Sequence, residues 1–361
     1  MAMTDFPLNH PLAIQRWSPS LAVEAEKKQY FRKFMGTDEK SMIVVKKELE
    51  KKAGEKITVG LCMKLKQDGI EGDNIIEGHA TGEEALSFFN DDFFINQRRK
   101  STKSKGRMSE QRVPYNMRKK GRDALSTWFS EDYDEILMCY LAGARGIDPS
   151  FHVPTTWTGR ANNPLQAPDA DHLVYGGNAT GKANVGSDDT MELGIVEKLV
   201  AKVETLDPMI MPFMIDGEKK YVLLMHTWQA YQMRTSTSNN DWIDIQKQAG
   251  IRGKGNLVYK NSLGEYADVI MHKHRNVIRF DDYGSGSNLP AARALLLGAQ
   301  AGIIGWGGDS GPNRYSWNEE KDDRGNALAI TAGAIWGCDK SRYNGKDFGV
   351  VAVDTYCADP N

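Results

Sequence analysis

Gly308-Asp309-Ser310-Gly311-Pro312 has the residue types of a loop that presents a serine nucleophile. Such chemistry needs a histidine base and an orienting acid converging on the serine. No histidine stands in an Ala-Ala-His-Cys context, and Pro312 takes the place of the second glycine such loops carry after the serine. A Gly-rich loop is the favoured reading, with an intracellular serine hydrolase using Ser310 as an alternative function. His272 and His274 lie two apart on an expected strand, so both imidazoles can face one way and begin a metal site. The sequence nominates no third ligand, and solvent- or interface-facing histidines are favoured. Asp169, Asp171 and His172 offer donors to a cation but lack the ligand series of a calcium loop. Gly284-Ser285-Gly286-Ser287 lacks the third glycine of a dinucleotide fingerprint, and no G-x-x-x-x-G-K-S/T occurs. Asn178-Ala179-Thr180 matches a glycosylation sequon, which matters only in a secreted protein. With no nucleophile–base pair, metal cluster or phosphate loop, an enzyme is disfavoured, and no metal or cofactor is expected.

The strongest charge anomaly is 97–122, where eleven basic residues, from Arg98 and Arg99 through Arg107 and Arg112 to Arg122, face one acid, Glu110. A DNA-binding module built on 98–122 is one reading. The favoured one is a solvated or pairing stripe, because the basic residues are not interleaved with a series of aromatic platforms. Over the whole chain of 361 residues, 46 Lys+Arg nearly balance 48 Asp+Glu, which argues against a surface that grips nucleic acid everywhere. Hydrophobic residues at 40% supply a sizeable core and exclude a disordered chain. The longest uncharged apolar stretch, Ala294–Gly308, is 15 residues, short of the roughly 18–20 that span a bilayer. No secretory signal is visible at the start. Cys62, Cys139, Cys338 and Cys357 are scattered, so a disulfide framework is not expected and a reducing compartment is the simpler reading.

The elements that must position these residues read as follows. Pro7, Pro11 and Pro19 make residues 1 to about 40 an arm, carrying one amphipathic stretch from Leu21 to Phe34 that Ser20 could cap. Its aromatics, Tyr30, Phe31 and Phe34, need a partner surface in the same chain or another. Residues 57–66 alternate as a half-buried strand, a polar Gly-rich tip follows, and the chain returns through Phe88–Asn96 as a long hairpin. From Asn116 to Ala144 apolar residues recur at three- and four-residue spacing, a helix long enough to act as a spine. Gly146–Asp189 is a Gly/Pro-rich insertion, and a helix carrying Leu193–Val203 follows. Lys220–His226 reads as a buried strand, with Thr227 capping the helix after it. Ala267–His274 and Asn276–Phe280 read as strands, and Ala291–Ile304 as a buried Ala/Gly-rich helix. Two period-2 runs, Ala327–Gly337 and Phe348–Thr355, flank a turn at Asn344-Gly345. The class is α+β.

Several phrases in order resemble the major capsid proteins of the N-four type of podovirus: Gly106-Arg107-Met108-Ser109-Glu110-Gln111-Arg112-Val113-Pro114, then Arg122-Asp123-Ala124-Leu125-Ser126, then Tyr221-Val222-Leu223-Leu224-Met225-His226. Ala267–Arg275, Leu297-Gly298-Ala299-Gln300-Ala301 and Asp347-Phe348-Gly349-Val350 continue the resemblance. Where that family has a Pro after the histidine of the Tyr-Val-Leu segment, this chain has Thr227-Trp228.

The resemblance implies the Hong Kong 97-type fold, with an N-terminal arm (1–45), an extended hairpin loop (46–108), a peripheral domain with spine helix and insertion (109–205), an axial domain (206–325) and returning C-terminal strands (326–361). It implies a structural role: pentamers and hexamers of identical subunits closing an icosahedral virion shell around double-stranded DNA, assembled in the host bacterial cytoplasm. Expected partners are a portal protein, a cement protein and, because the arm begins almost at Met1, a separate scaffolding protein; no membrane is involved. Subunit contacts are expected from Trp17, Tyr30, Phe31 and Phe34 on the arm, Lys64 and Lys66 on the loop, and Arg98, Arg99, Arg107 and Arg112 on the basic stretch.

Overall fold

The computed structural model describes residues 21–78, 82–114, 116–160, 162–215, 217–237, 242, 258–259, 262–309 and 311–360. Trp17, Ser20 and Ser310 lie outside the described residues. Helix α1 (21–28) and a 3-10 turn (Phe31–Phe34) lead to β1 (Met35–Gly36) and β2 (Ile43–Glu50). β3 (Lys56–Cys62) and β4 (Phe88–Phe94) form a ribbon, followed by β5 (Asn96–Lys103), α2 (Arg107–Gln111) and the long α3 (Met117–Ala142). Next come β6 (Gly159–Arg160), β7 (Asn163–Pro164), β8 (Leu173–Tyr175), α4 (Leu193–Thr205), β9 (Phe213–Ile215), β10 (Glu218–Met225) and α5 (Thr227–Ser236). The chain closes with β11 (Gly264–Tyr266), β12 (Val269–Lys273), β13 (Arg279–Tyr283), β14 (Leu289–Leu297), β15 (Gly302–Gly308), β16 (Tyr315–Asp322), β17 (Ala327–Lys340), β18 (Arg342–Tyr343), β19 (Lys346–Asp347) and β20 (Val350–Tyr356). No described helix is long and apolar enough to cross a membrane.

α3 forms where the helical spacing places it, and its ends are specified locally. Asn116 accepts a hydrogen bond from the Lys119 amide at the start. Gly143 ends it in the left-handed region at φ 66°, where a Cβ would stand 2.0 Å from the Gln166 carbonyl, so only glycine fits. The spacing predicts one apolar stripe. Instead every residue from Asp132 to Ala142 is buried, because sheets cover the helix on more than one side.

One sheet has six strands in the order β1-β2-β15-β17-β16, with β5 also paired to β17. A second has eight, in the order β11-β12-β10-β14-β20-β8, with β13 on β14 and β9 on β10, and β3-β4, β6-β7 and β18-β19 are two-stranded. Strand alternation divides the second sheet cleanly. Val222, Leu224, Ile270, Leu295, Leu297 and Ala352 face the core shared with α3. Tyr221, Leu223, Met225, Met271, Leu296 and Val353 face a second core against α4 and α5.

Several expectations are corrected. Ala291–Ile304 is not a helix but the end of β14, a turn, and the start of β15. Strands buried on both faces are apolar throughout, and periodicity does not separate such strands from a buried helix. α5 is capped by His226 rather than Thr227: its side chain accepts from the Trp228 amide while Gln229 reaches back to the His226 amide. The hairpin loop is shorter than 46–108, since β2 and β5 at its two ends belong to the six-stranded sheet and only 51–95 lies between them. The boundary at 325/326 falls inside the β16–β17 hairpin, and β8 and α4, expected with the spine helix, lie on the eight-stranded sheet side. Of the C-terminal strands expected beside the spine helix, β17 lies there, paired with β15, β16 and β5 in the six-stranded sheet, while β20 pairs with β14 in the eight-stranded one.

A buried ion pair joins the two layers. Arg293 on β14 grips Asp354 on β20 with two bonds of 2.7 Å, Tyr283 donates to the same carboxylate at 2.6 Å, and Arg293 Nη1 donates to the Ala142 carbonyl at the end of α3. The carboxylate at that distance raises the guanidinium pKa against the opposing cost of desolvation. Arg293→Met leaves Asp354 buried without its cation and should cost about 3–5 kcal/mol in denaturant unfolding of the subunit. The double change Arg293→Met/Asp354→Leu should recover part of that loss; an equal or larger loss in the double variant contradicts the pairing.

Candidate assembly surfaces

The described part of the arm finds its partner in its own chain. Leu21, Ala25, Phe31 and Phe34 are fully buried in the core around α3. Phe31 and Phe34, expected at a subunit contact, are therefore spent on internal packing, and Tyr30 is half-buried beside them. The anchor is polar: the Tyr30 and Phe31 amides donate to the Asp134 carboxylate on α3 at 2.8 and 3.2 Å. Burial pushes Asp134 up to about 7 even though both amides favour its ionised form.

His272 and His274 on and beside β12 form the floor under this turn. They face the arm, not solvent. The Tyr30 ring lies 4.5 Å from that of His274, and Phe34 meets His272 edge-on at 5.5 Å. His272 Nε2 is 2.9 Å from the Val258 carbonyl and Nδ1 is 3.2 Å from Lys33 Nζ. One tautomer serves both, with Nε2–H donating and Nδ1 accepting.

The basic stretch is divided among three elements, and four of its eleven cations are paired with acids of the same chain. Arg98, expected to reach a neighbouring subunit, forms a two-point pair with the buried Asp132 of α3. Lys103 pairs with Asp322, Arg118 with Glu319, and Arg122 with Glu24. The cause is the pairing of β5 with β17, which lays the strand across α3 instead of leaving it in a protruding stem. Arg99, Arg107 and Arg112 remain exposed. The hidden signal was Asp132 itself, an acid on the buried face of a helix.

The ribbon is the opposite case. Its root is packed: Ile57 and Phe93 join Ile95 and Ile303 in a small core. Beyond Cys62 the chain is largely exposed, with Ile75 at 76%, Phe88 at 69% and Leu65, Ile76 and Leu86 more than half exposed. Lys64 is exposed, and Lys66 forms a solvent-facing pair with Asp207 of the same chain at 2.7 Å. A row of exposed apolar side chains on one ribbon is a surface that needs a cover.

Residues 5–359 match the family model of phage capsid proteins. The fold is similar over its full length, and that of the neighbour, to the capsid of Ralstonia phage GP4, with TM-score 0.88 and 40% identity. The chain belongs to the phage capsid protein family. It is also similar to the major capsid protein of Pseudomonas phage KPP25, 26% identical with 93% of each chain covered. The cyanophage Pam1 capsid shares the fold at TM-score 0.71 and 20% identity, over 92% of this chain and 93% of that one. This capsid chain is thus a mixed α+β structural protein of a phage head.

Within the capsid chain the described residues that suggested metal chemistry, His272, His274, Asp169, Asp171 and His172, have structural partners. The described residues lining the groove beside Asp309 are Lys51, Gln97, Gly308, Arg314, Ser316 and Gly333–Ile335, with no histidine among them. Asp169 accepts from the Asp171, His172 and Asp347 amides, and Asp171 pairs with Lys346. Among the described residues no three His, Cys, Asp or Glu side chains are grouped to hold a metal.

Desolvation first, then neighbouring positive charge, holds His272 at about 3 and His274 at about 4; Lys33 acts on both and Arg275 on His274. A folded pKa below the unfolded one stabilises through the neutral form, so the contribution is whole above about 6.5 and is lost as pH falls toward those values. Asp134, with its raised pKa, acts in the opposite direction. Amide exchange at Phe31, corrected for intrinsic rate, should therefore accelerate at least tenfold more between pH 6.5 and 4 in the parent than in a His272→Asn/His274→Asn variant. Equal profiles contradict the role of these histidines.

Proposed function

We propose that this chain is the subunit of an icosahedral head of the Hong Kong 97-type, closed from pentamers and hexamers around double-stranded DNA. The observation that carries this reading is the ribbon: its root is fixed in the subunit's sheet while its apolar flanks have no cover in the subunit. In this reading α3 with the six-stranded sheet forms the peripheral part, and the eight-stranded sheet with α4 and α5 the axial part. Each ribbon lies over a neighbouring copy, and the segment before α1, including Trp17, tucks under another. Arg99, Arg107, Arg112, Lys64 and Lys66 stand at contacts between copies; Arg98, Phe31 and Phe34 act from inside the subunit.

The work is mechanical. Each contact buries modest apolar area, and closure of the shell multiplies it, so weak individual contacts suffice. Assembly takes place in the bacterial cytoplasm with a separate scaffolding protein; a portal protein occupies one vertex, and a cement protein is a further partner. The exposed basic side chains pair with acids on adjacent copies in preference to packaged DNA. A serine hydrolase gains no support from the groove beside Asp309, and a DNA-binding module gains none from a basic stretch whose Arg98, Lys103, Arg118 and Arg122 are paired with acids of the same chain.

Replacing 65–86 by a short Gly-Ser turn tests the reading, because the root core at Ile57 and Phe93 is untouched. Co-expressed with a scaffolding protein, the parent should give uniform shells by electron microscopy. The shortened variant should give folded capsomers or smaller species and at least a tenfold loss of shells. Normal shells from the variant would refute the role of the ribbon, and uniform shells from the parent alone would refute the scaffolding requirement.

A further inference from the structure

Between α4 and β10 three methionines stand on the outer face of one short segment. Met209, Met211 and Met214 are 42%, 54% and 48% exposed, while Ile210 and Phe213 between them are buried. Thioether side chains ordinarily go inside, as Met138, Met225 and Met271 do in this chain. The run Met209-Ile210-Met211-Pro212-Phe213-Met214 thus turns Ile210 and Phe213 inward and its three methionines outward.

The backbone beneath them is held. The Tyr221 hydroxyl donates to the Ile210 carbonyl at 3.1 Å, and the Ala299 amide donates to the Met211 carbonyl at 2.8 Å. β9 pairs with β10, which sets Met214 opposite Lys219. Exposed, buried, exposed at 209–211 is the alternation of extended chain, and Pro212 favours the same conformation at Met211. At ~3.3 Å per residue, the Cα atoms of Met209 and Met211 stand roughly 7 Å apart and those of Met211 and Met214 roughly 10 Å. Methionine is unbranched and turns about three bonds, so three sulfurs at this spacing can meet at one point above the face.

Three thioethers make a distinctive donor set. They are soft and uncharged, and such ligands select Cu(I) over the hard or divalent ions that take carboxylate and imidazole. The neighbouring charges point the same way. Asp207, two residues before Met209, is engaged by Lys66 at 2.7 Å, and the exposed Lys219 stands across from Met214. Sulfur donors beside an acid already paired offer little to a calcium, magnesium or zinc ion.

We propose that Met209, Met211 and Met214 form a site for one soft monovalent cation, Cu(I) by class, bound through three thioether sulfurs. The site needs only the folded chain and is independent of the shell reading.

Ag(I) is the probe, because it shares the charge and softness of Cu(I) and keeps its oxidation state in air. The full chain carries Cys62→Ser, which removes the exposed thiol, and isotope-labelled methionine methyls read by NMR. In chloride-free buffer the methyl signals of Met209, Met211 and Met214 should move together and saturate at one equivalent, with the exposed Met108 and Met117 unmoved. Calorimetric affinity should fall at least tenfold in Met209→Leu/Met211→Leu/Met214→Leu with unchanged circular dichroism, while Met108→Leu matches the parent. Cu(I) supplied under nitrogen should displace the bound Ag(I). No uptake by the parent, equal affinity in the triple variant, or failure of Cu(I) to compete overturns the site. Three methyl signals moving at separate Ag(I) concentrations also overturn it, since they would report independent sulfurs. Displacement of Ag(I) by equimolar Zn(II) does the same and assigns the ion to harder donors.

Discussion

Three carboxylates within one turn of α3, Asp132, Asp134 and Glu135, are buried, and their need for donors organises the surrounding chain. A buried carboxylate without a partner is costly enough that each must be met by a group from elsewhere. Asp132 takes the Arg98 guanidinium, which brings β5 onto the helix. Asp134 takes the Tyr30 and Phe31 amides, which bring in the arm. Glu135 takes the His152 amide and ring, which bring in the insertion after α3. Three segments far apart in sequence thus meet one helix through polar contacts, and apolar burial surrounds them.

The same logic recurs where the two layers meet. Arg293 and Asp354 join adjacent strands while Arg293 also reaches the last turn of α3. Lys340 and Asp347, each 1% exposed, fix the segment between β17 and β20, where the chain crosses between sheets. Pairs this deeply buried add little net stability over apolar replacements, but breaking one is severe. They therefore act as statements about which arrangement is allowed. An alternative register would strand a charge in the core.

Features carried by local pattern were legible in the sequence. The spacing of Leu125, Phe129, Ile136 and Leu137 shows α3, and Asn116 and Gly143 mark its ends. Alternation at 57–62 shows one ribbon strand, and Asn344-Gly345, both at positive φ, shows the turn between β18 and β19. Features carried by long-range pairing were not. Ala291–Ile304 is uniformly apolar because both faces of β14 are covered, and nothing local says so. Arg98 and Arg99 are adjacent and chemically identical, yet one is sealed against Asp132 and the other faces water, a difference made by β17 nearly 240 residues away. The basic stretch was legible as composition but not as place: that Arg98, Lys103, Arg118 and Arg122 find acids in the same chain was not.

In the shell proposed above, that division of the basic stretch keeps the subunit rigid and its contacts weak. Charges turned inward sit in low dielectric, where each pair is strong and specific. Charges left outward, on the ribbon tip and at the α2–α3 corner, act through water and are individually worth about 1 kcal/mol or less. A shell built from strong single contacts would trap every misplaced copy, because dissociation would be slow. A shell built from many weak ones lets a wrongly seated copy leave, and stability accrues only when the neighbours on every side are correct. The placement of strong pairs inside and weak ones outside is what a particle of fixed geometry requires. The six-stranded sheet, by drawing β5 inward and leaving the ribbon beyond Cys62 outward, is the element that enforces it.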